Sequence, residues 1–152
     1  MAALCGKQYF LSKIAVTRNE AALRCKSMGM ALLAVTSLEE LNCLATLTAV
    51  GTFWTSGSNE DLNCDLEQKF AWCSTGFNIS SELVSSEQFW MSTTAAPSTL
   101  HRCLALDLST TPKKGMVLRN CEENLPYICQ FTVDCPKQCN KNVRSQNYLE
   151  KI

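Results

Sequence analysis

Ten of the 152 residues are cysteine, the side chains with the most chemistry open to them. Thiolates bind metal in reducing compartments and pair as disulfides in oxidising ones. Cys135-Pro136-Lys137-Gln138-Cys139 has the spacing of half a metal site. Such a site takes a second cysteine pair or histidines nearby, and the chain has a single histidine. The even count fits five bridges instead, with a connectivity that spacing leaves open. A chain of this length can bury a core without cross-links. Ten cysteines therefore exceed what folding demands and point to an oxidising, extracellular setting.

The lone His101, beside Arg102, could join Asp107 and a nearby serine in the outline of a hydrolytic triad. No nucleophile-elbow sequence accompanies it, and one histidine among abundant serines arises by chance. It reads as a surface histidine at the start of a strand. The pairs Glu60-Asp61 and Glu122-Glu123 suggest cation binding, but solvated turns explain both. Asn78-Ile79-Ser80 is a glycosylation sequon, expected to carry a surface glycan. Nowhere do a nucleophile, a base and oxyanion donors assemble, so no catalytic residue is assigned and the chain is not expected to be an enzyme.

Fourteen basic and fourteen acidic side chains cancel. That balance leaves no basic stripe for nucleic acid and no polybasic segment for anionic lipid. The longest apolar run, Met28 to Val35, is far too short to span a bilayer. Met1-Ala2-Ala3-Leu4 leads straight into Cys5 with no leader in view, so the cysteines imply a mature form whose targeting segment has been removed.

The elements that must position these residues follow from pattern. Tyr9-Phe10-Leu11 has the content of a first strand. Thr17-Arg18-Asn19-Glu20 is a capping box, in which the Thr hydroxyl accepts from the Glu20 N–H and the Glu side chain reaches back. Ala21, Cys25 and Met28 share one face of the helix it starts, and Gly29 stops it. Ser37-Leu38-Glu39-Glu40 opens a second helix, with Leu38, Leu41, Ala45 and Thr48 in register and Gly51 as its end. Cys43 lies opposite Leu41 and Ala45, which predicts a peripheral cysteine paired to a terminus or to another chain.

Phe53-Trp54-Thr55-Ser56-Gly57 and Phe70-Ala71-Trp72 read as strands, with Cys64 and Cys73 flanking the polar stretch between them. A Ser/Thr-rich segment, Gly76 to Leu100, reads as a long irregular loop, a kind that is usually functional. Cys103 to Leu108, Met116 to Leu118 and Tyr127 to Phe131 complete the strands, with Pro112 to Gly115 as a turn. A strand, two helices and then several short strands predict an α+β fold with antiparallel sheets.

These residues together resemble a C-type lectin-like domain of the short, secreted invertebrate kind. The resemblance rests on the Cys25 helix, Phe53-Trp54, Trp72 with Ser74-Thr75-Gly76, Cys103-Leu104-Ala105-Leu106, Cys121 and Tyr127-Ile128-Cys129. It covers residues 5–131 and leaves 132–152 as a cysteine-containing extension. It implies two helices packed on short antiparallel sheets with a long-loop region, and the bridges Cys25–Cys129 and Cys103–Cys121. In the loop-closure picture the first contributes about 4–5 kcal/mol and the second about 3 kcal/mol. Cys64–Cys73 is expected as a local third bridge. Cys5, Cys43, Cys135 and Cys139 remain, either to pin the termini onto the second helix or to link chains.

Sugar-binding members of this family hold a calcium ion through carboxylates and carboxamides. They take them from a Glu-Pro-Asn or Gln-Pro-Asp triplet in the long loop and from Trp-Asn-Asp before the third core cysteine. Here Pro97 stands between Ala96 and Ser98, and Met116, Val117 and Leu118 occupy the second triplet. No metal site of the family type, no cofactor and no calcium-dependent sugar binding are expected. The expected function is non-catalytic recognition of an extracellular protein partner through the long-loop face. That face comprises Ser85 to Arg102 and the turn from Pro112 to Met116, with Phe89, Met91, Pro97, Ser98, His101, Arg102 and Met116 as candidate contacts. Within Phe89-Trp90-Met91, Trp90 is expected in the core. A glycan-binding lectin with an atypical site, and a subunit of a disulfide-linked or non-covalent oligomer, are the alternatives.

Overall fold

The computed structural model describes residues 2–4, 7–47, 49–58, 71–74, 77–90, 102–108 and 114–131. The expectations for Cys5, Glu60-Asp61, Cys64, Met91, Pro97, Ser98, His101 and the tail with Cys135 and Cys139 lie outside those residues.

The described chain is α+β. One antiparallel sheet has the strand order β1 (Ala2–Leu4), β2 (Lys7–Leu11), β9 (Ile128–Phe131), β3 (Ala31–Leu32). It pairs β2 with the last strand, β9, with Phe10 opposite Cys129. The second sheet has the order β6 (Phe77–Asn78), β5 (Ala71–Trp72), β4 (Thr52–Ser58), β7 (Cys103–Asp107), β8 (Gly115–Arg119). Helices α1 (Arg18–Ser27), α2 (Leu38–Leu44) and α3 (Ser81–Val84) complete it. The hairpin partner β1 was not foreseen. Its Ala-Ala-Leu has no β-branched or aromatic residue, so its extended form comes from pairing with β2.

Both long helices start where their caps predict, but each capping box closes only halfway. Thr17 accepts from the Glu20 N–H as expected, while the Glu20 carboxylate turns forward to Arg24 at 3.0 Å. Ser37 accepts from the Glu40 N–H, and the Glu40 carboxylate takes the Thr36 N–H one residue upstream of the cap. Gly29 follows α1 at φ 73°, the left-handed conformation that a stop requires. Helix α2 ends at Leu44, short of the expected Thr48 and Gly51. Its last turn tightens to three-residue spacing, and the Thr46 hydroxyl donates to the Cys43 carbonyl at 2.6 Å.

Strands β7 and β8 bury apolar side chains on both faces, which is why they read as continuous runs rather than as alternation. Phe53, Leu104, Leu106, Met116 and Leu118 join Leu41 and Leu44 of α2 in one core. Trp54, Ala105 and Val117 join Ala21 and Cys25 of α1 in the other. Cys25 is bonded to Cys129 across 104 residues and Cys103 to Cys121 across 18, as the resemblance implied. Cys43 and Cys73 are disulfide-bonded as well.

Candidate functional site

The described part of the long-loop face begins at α3. Ser80 caps that helix by accepting from the Leu83 N–H at 3.2 Å, so the segment expected to be irregular opens with a strand, β6, and a helical turn. The chain then turns through Ser86, whose carbonyl accepts from the Phe89 N–H. The Phe89 carbonyl in turn accepts from the Met116 N–H at 2.8 Å, and Trp90 bridges to Met116 in parallel. The start of the long loop is thereby fastened to β8.

That fastening corrects two expected contacts. Phe89 is 0 % exposed, with its ring meeting Trp72 and Trp90 edge-on at 6.5 and 5.1 Å. Met116 is 0 % exposed within the same core. Neither can offer surface to a partner. Trp90, expected in the core, is only half-buried, and its indole N–H donates to the Val84 carbonyl at 2.7 Å. The side chains that do face solvent here are Ser85, Glu87 and Gln88, with Arg102 half-exposed at the entry to β7. Their polar run around one buried aromatic was the signal for an anchored turn with a polar outer side. Lys114 holds the approach to β8 by donating to the Ala45 carbonyl at the end of α2.

The positions that give calcium ligands in the resembled family fall on β8 itself. Val117 is 8 % and Leu118 4 % exposed, and the two sit in opposite cores. Calcium takes oxygen ligands, and these side chains carry none. The described half of that ligand set does not fit the ion. Among the described residues no three His, Cys, Asp or Glu side chains are grouped to hold a metal. Of the two acidic pairs, Glu123 is held by Arg119 through both oxygens at 2.7 and 3.1 Å and also accepts from the Asn120 N–H. This contact raises the Arg119 pKa, and it commits Glu123 to closing a turn.

A second polar cluster lies in the core. Glu40, 6 % exposed, accepts from the Tyr9 hydroxyl at 2.6 Å and pairs with Lys7 at 2.9 Å. Lys7 also donates to the Ala34 carbonyl, and Gln130 accepts from Lys7 and from the Ala34 N–H. Burial first, and then the Glu40 carboxylate, push the Tyr9 phenol well above the ordinary tyrosine range. A perturbed group can mark an active site. Here both carboxylate oxygens are spent on protein donors, Oε2 on Tyr9 and Lys7, which ties α2 to the first sheet, and Oε1 on Thr36 just before the helix, so the cluster is structural.

Residues 14–131 match the profile of the Lectin C-type domain family. The chain belongs to the C-type lectin domain family, in its disulfide-bonded α+β fold. Its structure is similar to the mouse scavenger receptor C-type lectin carbohydrate-recognition domain, with a TM-score of 0.65, 15 % identity, and coverage of 86 % of this chain and 96 % of that one. It is also similar to a calcium-independent type II antifreeze protein, with a TM-score of 0.62, 20 % identity, and coverage of 86 % and 96 %. Human lithostathine is similar at a TM-score of 0.60, 22 % identity, and coverage of 84 % and 88 %. No curated protein sequence matches significantly.

Proposed function

We propose that this chain is an extracellular, non-catalytic recognition domain that binds a protein partner without calcium through its long-loop face. The observation that carries the reading is the pair Val117 and Leu118, buried apolar side chains where the family's sugar-binding members place calcium-ligating oxygens. Binding that cannot run through an ion must use direct polar and aromatic contacts, which suit an extended protein surface better than one sugar ring. The calcium-independent antifreeze protein is a precedent for this fold working without the ion. The disulfides support an oxidising, extracellular setting, and no described helix is long and apolar enough to cross a membrane.

Glycan binding at an atypical site is the second reading, favoured by the carbohydrate-recognition domain among the structural neighbours. A glycan array probed with and without chelator separates the two. The protein-binding reading expects no glycan retained in either condition. Retention that chelator abolishes would overturn both the calcium-free and the protein-binding parts.

A further inference from the structure

The chain contains one Asn-X-Ser/Thr sequence, Asn78-Ile79-Ser80. We propose that Asn78 carries an N-linked glycan at the edge of the five-stranded sheet. The proposal rests on the extracellular reading above.

The strand register fixes the position. Directly opposed residues of an antiparallel pair share a sheet face, and successive residues alternate. Asn78 pairs with Ala71, Ala71 with Ser58 and Ser58 with Cys103. Phe77 pairs with Trp72, and Trp72 meets Phe89 in the core. Position 78 therefore lies beyond β5, at the outer side of the sheet. Among the described residues, β6 is the outermost strand on its side.

The rest of the sequon fits the same role. Ile79 is buried and fastens the segment to the core, whereas Ser80 is exposed. In the folded chain the Ser80 hydroxyl is occupied in capping α3, so transfer must precede folding, while the hydroxyl at that position is still open to the transferase. The Asn78 carboxamide nitrogen forms a bond to the anomeric carbon of a lipid-pyrophosphate-linked oligosaccharide. The sugar–phosphate bond breaks, the lipid pyrophosphate leaves, and the amide gives up one proton. A hydrated glycan beside a two-residue edge strand also discourages another strand from adding there.

The test expresses the full chain behind a heterologous secretion leader in eukaryotic cells, and reads both retained and secreted fractions. Peptide-N-glycosidase should lower the mass by one glycan and convert Asn78 to Asp. Asn78→Gln and Ser80→Ala should abolish that shift, and Ser80→Thr, which keeps sequon and cap hydroxyl, should retain it. A disulfide-bonded chain with an unmodified Asn78 peptide overturns the proposal and leaves the extracellular reading standing. Free thiols in protein taken from its own organism would overturn that reading instead, whatever the leader-driven chain carries.

Discussion

At the scale of single residues, the division between core and surface decides which long-loop side chains can bind. Phe89 sits between two tryptophans, so Phe89→Ala should cost about 3–5 kcal/mol in a denaturant titration. A loss below about 1 kcal/mol would mean an exposed contact residue instead. Gly57 is fixed by its neighbours more than by its backbone. A Cβ there would lie 2.6 Å from the Leu104 Cδ1 and 2.9 Å from the Trp72 ring. Gly57→Ala should therefore destabilise by about 1–3 kcal/mol through overpacking, and a melting temperature equal to the parent's would show that the sheet yields freely. The sequence announced the aromatic residues but put Trp90 rather than Phe89 in the core. Phe89-Trp90-Met91 is apolar without a period, so its pattern does not select the ring that turns inward; in the fold Phe89 is buried, with its carbonyl accepting from the Met116 N–H.

At the scale of elements, Glu40 ties α2 to the first sheet by accepting from Tyr9 and pairing with Lys7. Folding holds the Tyr9 proton above the ordinary value of 10.0, through burial first and Glu40 second. A raised pKa gives stability that is complete below the unfolded value and fades as pH rises beyond it. Tyr9→Phe should cost about 1.5–3 kcal/mol at neutral pH, the worth of a hydrogen bond to a charged group. The gap between variant and parent should narrow above pH 10.0. A gap that holds constant through about pH 11 in thermal melts would show that the Tyr9 proton carries no such linkage. The caps at Thr17 and Ser37 and the stop at Gly29 were legible because they are local chemistry. The early end of α2 and the hairpin strand β1 were not, because one depends on how Thr46 is satisfied and the other on a neighbouring strand. Glu40 itself read as a cap residue, since its partners Tyr9 and Lys7 lie about thirty positions away in sequence.

At the scale of the whole molecule, Cys25–Cys129 ties the first helix to the last strand, and Cys103–Cys121 ties β7 to the turn after β8. Together they hold both sheets around two cores and keep β8 buried between them. That burial makes the misfit of the Val117 and Leu118 positions to calcium a matter of the fold rather than of one surface position. Val117 and Leu118 could not become ligands by a change of rotamer, because neither side chain has an oxygen and each is packed in a different core. Calorimetric titration of calcium into the purified, disulfide-bonded chain reads this directly. No saturable heat should appear at millimolar calcium or below, and the melting temperature should be the same in calcium and in chelator. A single saturable site with a matching rise in melting temperature would contradict a calcium-free face.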